Sequence, residues 1–518
     1  MQLDPDRDYA VVLELDEPDD PGAIAVKVAA DLRVSPKRLP PLEVRKKSID
    51  ARRGRVRFQL AVGVAGPAMP LGGAPLRETS GEPVVIIGAG PAGLFCAYEL
   101  ARAGVRAILL ERGKDVQARR RDLKGLTQHG KVDEDSNYCF GEGGAGTYSD
   151  GKLYTRAHKR GDTRDVIEIL AVHGAPESIL VDARPHIGSN KLPKVITAMR
   201  GRLAAVGTEI KFGARVTDLV VRDGQAIGVR LVGGEEVVGR AVVTATGHSA
   251  RDVHELLTRA GVRLEAKPFA MGVRIEHPQP LIDRIQYGRA FGHPKLPAAP
   301  YRVAFTPSDG RGAYSFCMCP GGWIVPAATE PDALVVNGMS LSRRDSPYAN
   351  SGLVVSVELA DLDRLGLTKP LGGIELQQRL ERAAFLAGGG GLRAPATRAT
   401  DFVQGIASST VPSSSYEPGL NATDIGAVLD ATGLPLAARL REALGEFDKQ
   451  MRGYLTAEAV LVGVESRTSS PVRVPRDATT LQSPDLAGLY PCGEGAGYAG
   501  GIVSAALDGM RIARAIIG

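Results

Sequence analysis

The stretch Val-Val-Ile-Ile-Gly-Ala-Gly-Pro-Ala-Gly, residues 84–93, decides the fold of this chain. Its four leading apolar residues predict a strand that is buried on both faces, and the residues after it open a helix. Gly88 permits a tight turn, Gly90 lets the backbone approach a pyrophosphate, and Gly93 lets the helix pack closely on the strand. Free N–H groups at the helix N-terminus then face the phosphates. The stretch predicts a dinucleotide site with contacts from Gly88, Gly90, Pro91, Ala92 and Gly93.

A second strand, 107–110, ends at Glu111 and is followed by Arg112. A carboxylate in this place can accept hydrogen bonds from both hydroxyls of an adenosine ribose, and it disfavours the extra phosphate of NADP. We therefore predict cofactor contacts from Glu111 and Arg112. Val216, in the later strand-rich segment 209–247, is added to this set.

Three later segments favour FAD over NAD. Residues 241–247 form a strand ending in Ala-Thr-Gly, a segment that runs beside the adenine end in two-domain flavoproteins. Residues 489–495 resemble the late strand and acid with which glutathione-reductase-type flavoproteins hold the ribityl chain, although those proteins usually carry Asp where this chain has Glu494. The helix 502–517 directs its positive end to where negative charge appears on flavin reduction. The predicted contacts are Thr246, Gly247, Gly493, Glu494, Gly501 and Ile502.

Residues 137–153 are unusually rich in glycine beside polar side chains. Such composition favours a backbone laid against a planar or phosphate-bearing ligand over an ordinary surface loop. We predict flavin contacts at Gly143 and Gly144.

Four motifs together resemble a bacterial family of FAD-dependent dehydrogenases whose substrate is unassigned. They are the glycine-rich residues 141–153, Phe-Cys-Met-Cys-Pro-Gly-Gly at 316–322, Glu-Ser-Arg-Thr-Ser-Ser-Pro-Val-Arg at 465–473, and Tyr-Pro-Cys-Gly-Glu-Gly-Ala-Gly-Tyr-Ala-Gly-Gly-Ile at 490–502. The resemblance covers the whole chain. It implies FAD and a glutathione-reductase-like fold, and it implies no particular reaction.

The composition is that of a globular protein, with 43% hydrophobic and 24% charged residues and a formal net charge of +5. So small an excess argues against a dedicated nucleic-acid binder, and the triplet at 119–121, three arginines, predicts a solvated helix face. The opening residues 1–6 do not form a secretory signal, and no run approaches the roughly 18 apolar residues of a membrane-spanning helix. Five scattered cysteines form no disulfide framework, and no Cys/His spacing fits a metal site. We expect a cytoplasmic protein without membrane contact.

The order of elements predicts an α/β fold. The expected core is a Rossmann-like FAD-binding domain, with a parallel sheet and crossover antiparallel strands, built from discontinuous segments. An α+β substrate domain is inserted into it, and a small α+β domain precedes it. The predicted ranges are 1–65 for the N-terminal domain, 66–82 for a linker, 83–268 and 457–518 for the FAD-binding domain, and 269–456 for the inserted substrate or cap domain.

Catalytic candidates are fewer. Cys317 and Cys319 could form a redox-active dithiol, and the alternative is that both are buried packing residues. Arg467 stands beside three hydroxyl residues and could bind a carboxylate or phosphate; the alternative is a structural pair with Glu465 or a loop carbonyl. Lys152 is a further candidate for polar contact near the flavin ring.

These patterns predict an FAD-dependent oxidoreductase that transfers a hydride between flavin N5 and a small organic molecule. With one dinucleotide fingerprint, the electron donor is NAD(P)H that docks transiently or a separate redox partner protein. Two alternatives stay open at this point. One is a flavin monooxygenase, and the other is a non-catalytic FAD-binding sensor or nucleic-acid-associated protein in which residues 1–65 recruit a partner. The sequence leaves the oligomeric state open.

Overall fold

The computed structural model describes residues 4, 6–66, 71–154 and 161–518. Most of the opening segment 1–6, and residues 67–70 of the predicted linker, lie outside the described residues. In the part of the chain that is described, no helix has the length and apolar character needed to cross a membrane.

The N-terminal unit is a three-stranded antiparallel sheet with one helix. Its elements are β1 (Tyr9–Glu14), α1 (Pro21–Leu32), β2 (Leu42–Asp50) and β3 (Arg57–Val64), with strand order β1-β3-β2. Its apolar residues belong to the same hydrophobic cluster as the core of the inserted domain. Two of its basic side chains form ion pairs within the unit, Arg45 with Asp8 and Lys47 with Asp19. The unit therefore packs on its own chain and neutralises part of its positive charge.

The glycine loop of residues 88–93 opens the first part of the cofactor domain. The elements are β4 (Ser80–Ile87), α2 (Pro91–Arg102), β5 (Val105–Glu111), α3 (Val116–His129), α4 (Thr163–Val172), α5 (Leu192–Ala205), β6 (Glu209–Phe212), β7 (Val216–Arg222), β8 (Gln225–Leu231), β9 (Glu236–Val238), β10 (Ala241–Thr244) and α6 (Arg251–Arg259). Strands β7, β8 and β9 form a separate antiparallel sheet between β6 and β10. This is the expected crossover.

The inserted domain follows. Its elements are β11 (Glu265–Ala266), β12 (Phe269–Pro278), α7 (Gln279–Tyr287), β13 (Ala304–Phe305), β14 (Ala313–Cys319), β15 (Gly322–Pro326), β16 (Val336–Ser340), β17 (Tyr348–Val357), α8 (Leu359–Arg364), α9 (Gly372–Gly388), β18 (Ala394–Arg398), α10 (Ala399–Gln404), β19 (Leu420–Ala422), α11 (Ile425–Asp430), α12 (Leu436–Gln450), β20 (Val460–Glu465) and β21 (Val472–Arg473). A seven-stranded sheet, in the order β13-β14-β17-β12-β20-β18-β19, forms its centre. Strand β20, which lies beyond the predicted boundary at residue 456, pairs in this sheet. An apolar run does not reveal which sheet it joins.

The chain returns to the cofactor domain with β22 (Leu489–Pro491) and α13 (Ile502–Ile517). Strand β22 pairs in parallel with β10 and completes a five-stranded parallel sheet in the order β22-β10-β4-β5-β6. Distant segments thus build one sheet, and the predicted fold class is confirmed. The carboxyl ends of β4, β5, β10 and β22 meet at one edge, which is where open α/β sheets bind ligands.

Helix α13 packs closely against α2 at Gly509. A Cβ atom at residue 509 would lie 2.0 Å from the carbonyl oxygen of Ala92 and 3.1 Å from the backbone nitrogen of Cys96. Since both neighbours are backbone atoms, neither can move away cheaply. The helix that begins after Gly501 is therefore placed against the first glycine loop by a residue without a side chain.

We expect Gly509→Ala to destabilise the protein by about 1–3 kcal/mol, because overpacking must push the two helices apart. Gly201→Ala is the matched control: it lies in helix α5, and a Cβ there meets nothing within 4 Å. The control should be neutral or stabilising by up to about 1 kcal/mol, since Ala favours helix. Urea unfolding of both variants measures the difference, and equal stabilities would show that the helix contact is not tight.

Candidate functional site

A cleft of about 410 Å³ lies between the edge of the parallel sheet and the inserted domain. Most of the predicted cofactor residues line it, namely Gly88, Gly90, Pro91, Ala92, Glu111, Arg112, Gly144, Val216, Thr246, Gly247, Glu494, Gly501 and Ile502. Three of the catalytic candidates, Lys152, Cys317 and Arg467, line it too. Segments that are far apart in sequence thus meet in one site.

Four predicted site residues do not line this wall. Gly93, Gly143, Gly493 and Cys319 are buried behind it among protein atoms. Gly143, for example, donates its N–H to the carbonyl of Ala89, 2.9 Å away, and so joins the glycine-rich loop to the first glycine loop. These residues shape the cleft from behind, because their backbones hold the wall in place.

The glycines of the first loop are required for different reasons. Gly88 has φ 102°, and a Cβ on Gly93 would lie 1.9 Å from the Gly88 carbonyl oxygen, so the protein itself requires both. Gly90 has an ordinary φ of −75°, and the nearest atom to a Cβ there is Cα of Gly144 at 3.8 Å. Neither backbone conformation nor protein packing explains this glycine. The space that it leaves open lies at the cleft, as close approach of a pyrophosphate requires.

Helices α2, α6 and α13 begin at this cleft without a side-chain cap, and α2 and α13 follow glycine loops. Helix α2 begins after Gly90 and α13 begins after Gly501, and neither has a side-chain hydrogen bond at its N-cap. Helices α1 and α3, by contrast, are capped by Asp20 and Asp115. Free N–H groups and the positive ends of two helix dipoles suit a ligand that carries phosphates and a second electron-rich group. These features fit FAD.

The carboxylate of Glu111 contacts three backbone N–H groups. Its oxygens accept hydrogen bonds from Ala89, Gly113 and Gly141, each at 2.9 Å. A carboxylate offers about four acceptor positions, so one is left for a ribose hydroxyl instead of the expected two. Arg112 beside it forms ion pairs with Asp135 and Asp252. The ribose contact stays a prediction.

Arg119 corrects the interpretation of the arginine triplet. The side chain is fully buried and donates to the carbonyls of Asn137, Tyr138, Glu142 and Gly144 at 2.8–3.0 Å. Burial lowers the pKa of this guanidinium. The helical pattern of α3 could not show that one arginine turns inward, because its acceptors are backbone groups of a following loop. Arg119 therefore holds the glycine-rich loop in the cleft wall.

Arg467 has a structural partner that the sequence did not indicate. Its guanidinium binds Glu381 at 2.8 Å and 3.0 Å and donates to Thr329 at 2.8 Å, whereas the expected alternative partner, Glu465, pairs with Arg274. Arg251 binds the same carboxylate at 2.7 Å. Although burial alone would raise it, the two guanidiniums lower the pKa of Glu381 to about 2. This buried triad joins α6 of the cofactor domain to α9 of the inserted domain.

Lys152 and the two cysteines of β14 form one cluster. The Lys152 Nζ lies 3.4 Å from the Sγ of Cys319, 3.9 Å from the Sγ of Cys317 and 3.4 Å from the carboxylate of Asp150. Cys317 is exposed on the cleft wall, and Cys319 is buried. Both cysteines are free thiols: Cys319 packs among protein atoms, and Cys317 faces the cleft, so a redox role for the pair stays a prediction.

Sequence reasoning missed other wall residues. Asp150 and Phe316 lie inside motifs that were recognised but not assigned to the site, whereas Asn337 on β16 carries no local signal. Among the described residues, no group of three or more His, Cys, Asp or Glu is placed to hold a metal ion.

Comparison with known proteins agrees with this geometry. Residues 83–160 match a family described as FAD dependent oxidoreductase, residues 268–468 match FAD-dependent protein, C-terminal domain-like, and residues 6–65 match a domain of unknown function. An uncharacterized protein of Clostridium beijerinckii is 39% identical over 524 residues, which cover 96% of each chain.

The solved structures that match the chain are more distant in sequence. A triple mutant of the flavin-dependent brominase Bmp2 is 13% identical with a TM-score of 0.35, over 84% of this chain and 79% of its own. CtdE in complex with FAD is 10% identical with a TM-score of 0.31, over 83% and 82%.

Gly90→Ala tests whether the open space at Gly90 is occupied by FAD. We expect FAD to bind at least about tenfold more weakly, because a methyl group would fill the space that the ligand needs. The melting temperature of the flavin-free protein should stay unchanged, since the nearest protein atom, Cα of Gly144 at 3.8 Å, is at an ordinary van der Waals distance from the new methyl. Gly445→Ala, on helix α12 with nothing within 4 Å, is the control. Titration with FAD measures the affinity, and an unchanged value would mean that the cofactor lies elsewhere.

Glu381→Gln tests the buried triad. We expect the free energy of unfolding to fall by about 3–5 kcal/mol at neutral pH, because two arginines lose their shared buried counter-charge. A pKa depressed in the folded state means that Glu381 stabilises the fold above its ordinary pKa near 4.5, and that this stability is lost as pH falls toward 2.

The control for this prediction is Glu375→Gln on the same helix, whose carboxylate pairs with Arg379 on the exposed surface. It should cost only about 0.3–0.5 kcal/mol. Urea unfolding at several pH values measures both variants. A loss for Glu381→Gln no larger than that of the control would contradict the role of the triad.

Proposed function

The chain belongs to a family of FAD-dependent oxidoreductases, and on this premise we propose that it transfers a hydride between flavin N5 and an organic substrate. The observation that carries the proposal is the uncapped N-terminus of α13 at the same cleft as the first glycine loop. When bound, FAD supplies a ring that accepts or donates a hydride. The residues of the chain bind and orient it and set the charge around it.

The N-terminus of α2 is suited to the pyrophosphate. Its first-turn N–H groups have no side-chain cap, Gly90 leaves space in front of them, and the helix dipole adds positive potential. The N-terminus of α13 is suited to a second group that gains negative charge. A preorganised positive end stabilises that charge without rearrangement, which makes two-electron uptake easier.

The substrate side of the cleft is formed by the inserted domain. Phe316, Cys317 and Asn337 reach the wall from β14 and β16, across from Gly501 and Ile502 in the wall of the cofactor domain. An aromatic face beside an amide suits a small organic molecule with one apolar and one polar part. Residues from two domains therefore line this end of the cleft.

Electrons reach the site from a donor that docks transiently, either NAD(P)H or a redox partner protein. The sequence contains one complete strand–loop–helix dinucleotide fingerprint, 84–93, and FAD takes it. A resident second dinucleotide would need a fingerprint of its own.

Anaerobic stopped-flow absorbance tests the reaction. The purified flavoprotein is mixed with NADH, NADPH and a panel of organic hydride donors, and we expect at least one to bleach the flavin band in a single two-electron phase. Deuteration of the transferred hydrogen should slow that phase. Protein that holds no flavin after gentle isolation and addition of FAD would overturn the proposal. Substrate-dependent oxygen insertion would show a monooxygenase instead.

A matched pair at Ile502 tests the role of α13. Ile502→Glu places a carboxylate at the positive helix end, and Ile502→Gln adds the same bulk without charge. A charge in the first turn typically changes the interaction free energy with a nearby charge by about 1 kcal/mol. We therefore expect the equilibrium constant for reduction of the bound flavin to be roughly fivefold to tenfold smaller in the Glu variant than in the Gln variant. Redox titration of the bound flavin measures this. Identical reduction potentials would show that the N-terminus of α13 does not act on the flavin ring.

A further inference from the structure

The cysteine cluster provides more than a hydride-transfer site requires. Among the five cysteines, Cys96 and Cys492 are buried in the cofactor domain, where burial raises the pKa of each thiol. Cys317 and Cys319 lie in different surroundings, because the ammonium group of Lys152 is within 4 Å of both sulfurs. A cation in this place favours the thiolate form, which is the reactive one.

A second cation lies behind the two cysteines. The guanidinium of Arg274 is fully buried, donates to the carbonyl oxygen of Cys317 at 2.7 Å and lies 3.8 Å from the Sγ of Cys319. The Cys319 thiol donates to the backbone carbonyl oxygen of Cys317 at 3.3 Å. Hydrogen bonding with the Cys319 side chain, together with the charges of Lys152 and Arg274, holds the pKa of Cys317 well below the ordinary thiol value, against the desolvation of its sulfur. The electropositive surroundings thus select one thiolate, at the position that faces the cleft.

The backbone at this point is unusual. The pairing of β14 with β17 shifts register between Phe316 and Cys319, and Cys317 has φ 46°, in the left-handed region that a side chain rarely adopts. The shift places an extra residue in β14, as in a β-bulge, which re-aims side chains. Residue 318 between the cysteines packs into the hydrophobic core. The strand therefore turns both sulfurs to Lys152 at the cost of local strain.

We propose that Cys317 and Cys319 form a dithiol–disulfide couple that exchanges two electrons with the bound flavin, with Lys152 as the residue that positions the thiolate. In the oxidising direction the Cys317 thiolate and the Cys319 thiol form one S–S bond. The two electrons and the thiol proton pass to oxidised FAD, which becomes the singly protonated, anionic reduced flavin. Charge, protons and electrons balance without another reactant. The reverse direction opens the disulfide again.

The geometry allows the bond to form. Residues two apart in an extended strand are separated by at most about 7 Å between Cα atoms, and disulfides span about 4.4–6.8 Å. Both sulfurs already lie within 4 Å of one Nζ atom, so they face the same point. Exposure of Cys317 and burial of Cys319 give the pair distinct roles, since only Cys317 can contact a molecule in the cleft.

Electron stoichiometry tests the couple in the full-length flavoprotein. After mild oxidation, anaerobic dithionite titration should reduce the wild type with two electrons for the flavin and two more for the disulfide. The variant Cys317→Ser/Cys319→Ser should take up only the two electrons of its flavin. In parallel, the tryptic peptide 312–343 of the oxidised wild type should resist alkylation and weigh two hydrogens less than the reduced peptide. Uptake of two electrons by the wild type and a fully alkylated peptide would overturn the proposal.

The role of Lys152 is tested by the pH profile of alkylation by iodoacetamide, measured on flavin-free protein so that flavin chemistry cannot contribute. In Lys152→Met the profile for Cys317 should move to higher pH, and alkylation at neutral pH should become at least about tenfold slower because less thiolate is present. Lys152→Arg should restore it, and Lys194→Met on the exposed face of α5 should leave it unchanged. An unmoved profile in Lys152→Met would overturn the positioning role.

The outcome is separable from that of the proposed function, because the couple requires bound FAD but not hydride transfer to an organic molecule. If the double serine variant binds FAD and is still reduced by the donor of the wild type while both electron counts are equal, the hydride proposal stands and the couple fails. If no hydride donor is found and the counts differ by two electrons, the couple stands alone.

Discussion

Two buried charges of opposite sign hold the glycine loops that form the cleft wall, and most hydrogen bonds of each charged group are made with backbone groups. Glu111 accepts from three N–H groups, and Arg119 donates to four carbonyls of the glycine-rich loop. A buried charge without such partners would cost several kcal/mol, so the loops cannot leave without exposing both groups to that penalty. The cofactor therefore meets a preformed surface in a protein whose loops carry many glycines.

The same principle joins the domains at a larger scale. Arg251 from the cofactor domain and Arg467 from the end of β20 share the carboxylate of Glu381 on α9. Arg251 also pairs with Glu330 at 3.0 Å, so two carboxylates balance the two guanidiniums beside the cleft. This arrangement fixes the width of the cleft by electrostatics, whereas the α2–α13 contact fixes the opposite wall by close packing at Gly509. The two walls thus depend on different forces.

Sequence reasoning was reliable where the signal is local. The strand–glycine–helix unit at 84–93 and the late segments 489–502 follow from periodicity and turn chemistry, and the structure brings them to one cleft. It was unreliable where a side chain chooses a distant partner. Arg467 and Glu381 are 86 positions apart, and no spacing rule connects them. The inward turn of Arg119 and the sheet chosen by β20 have the same origin, because each depends on tertiary contacts that single-chain patterns do not contain.

Cys317 shows how the fold supports a strained residue. A left-handed conformation is usually given to glycine, yet this position keeps a side chain, and the cost is of order 1–3 kcal/mol. The hydrogen bond from Arg274 to the Cys317 carbonyl holds that conformation, and Arg274 is itself held by Glu465 and by Asn350 at 2.8 Å. Although Arg274 counteracts it, burial raises the pKa of Glu465 to about 7, so this carboxylate lies near its point of protonation at neutral pH. The strained strand is therefore held through Arg274 by a buried ion pair, and the two thiols lie in front of that pair.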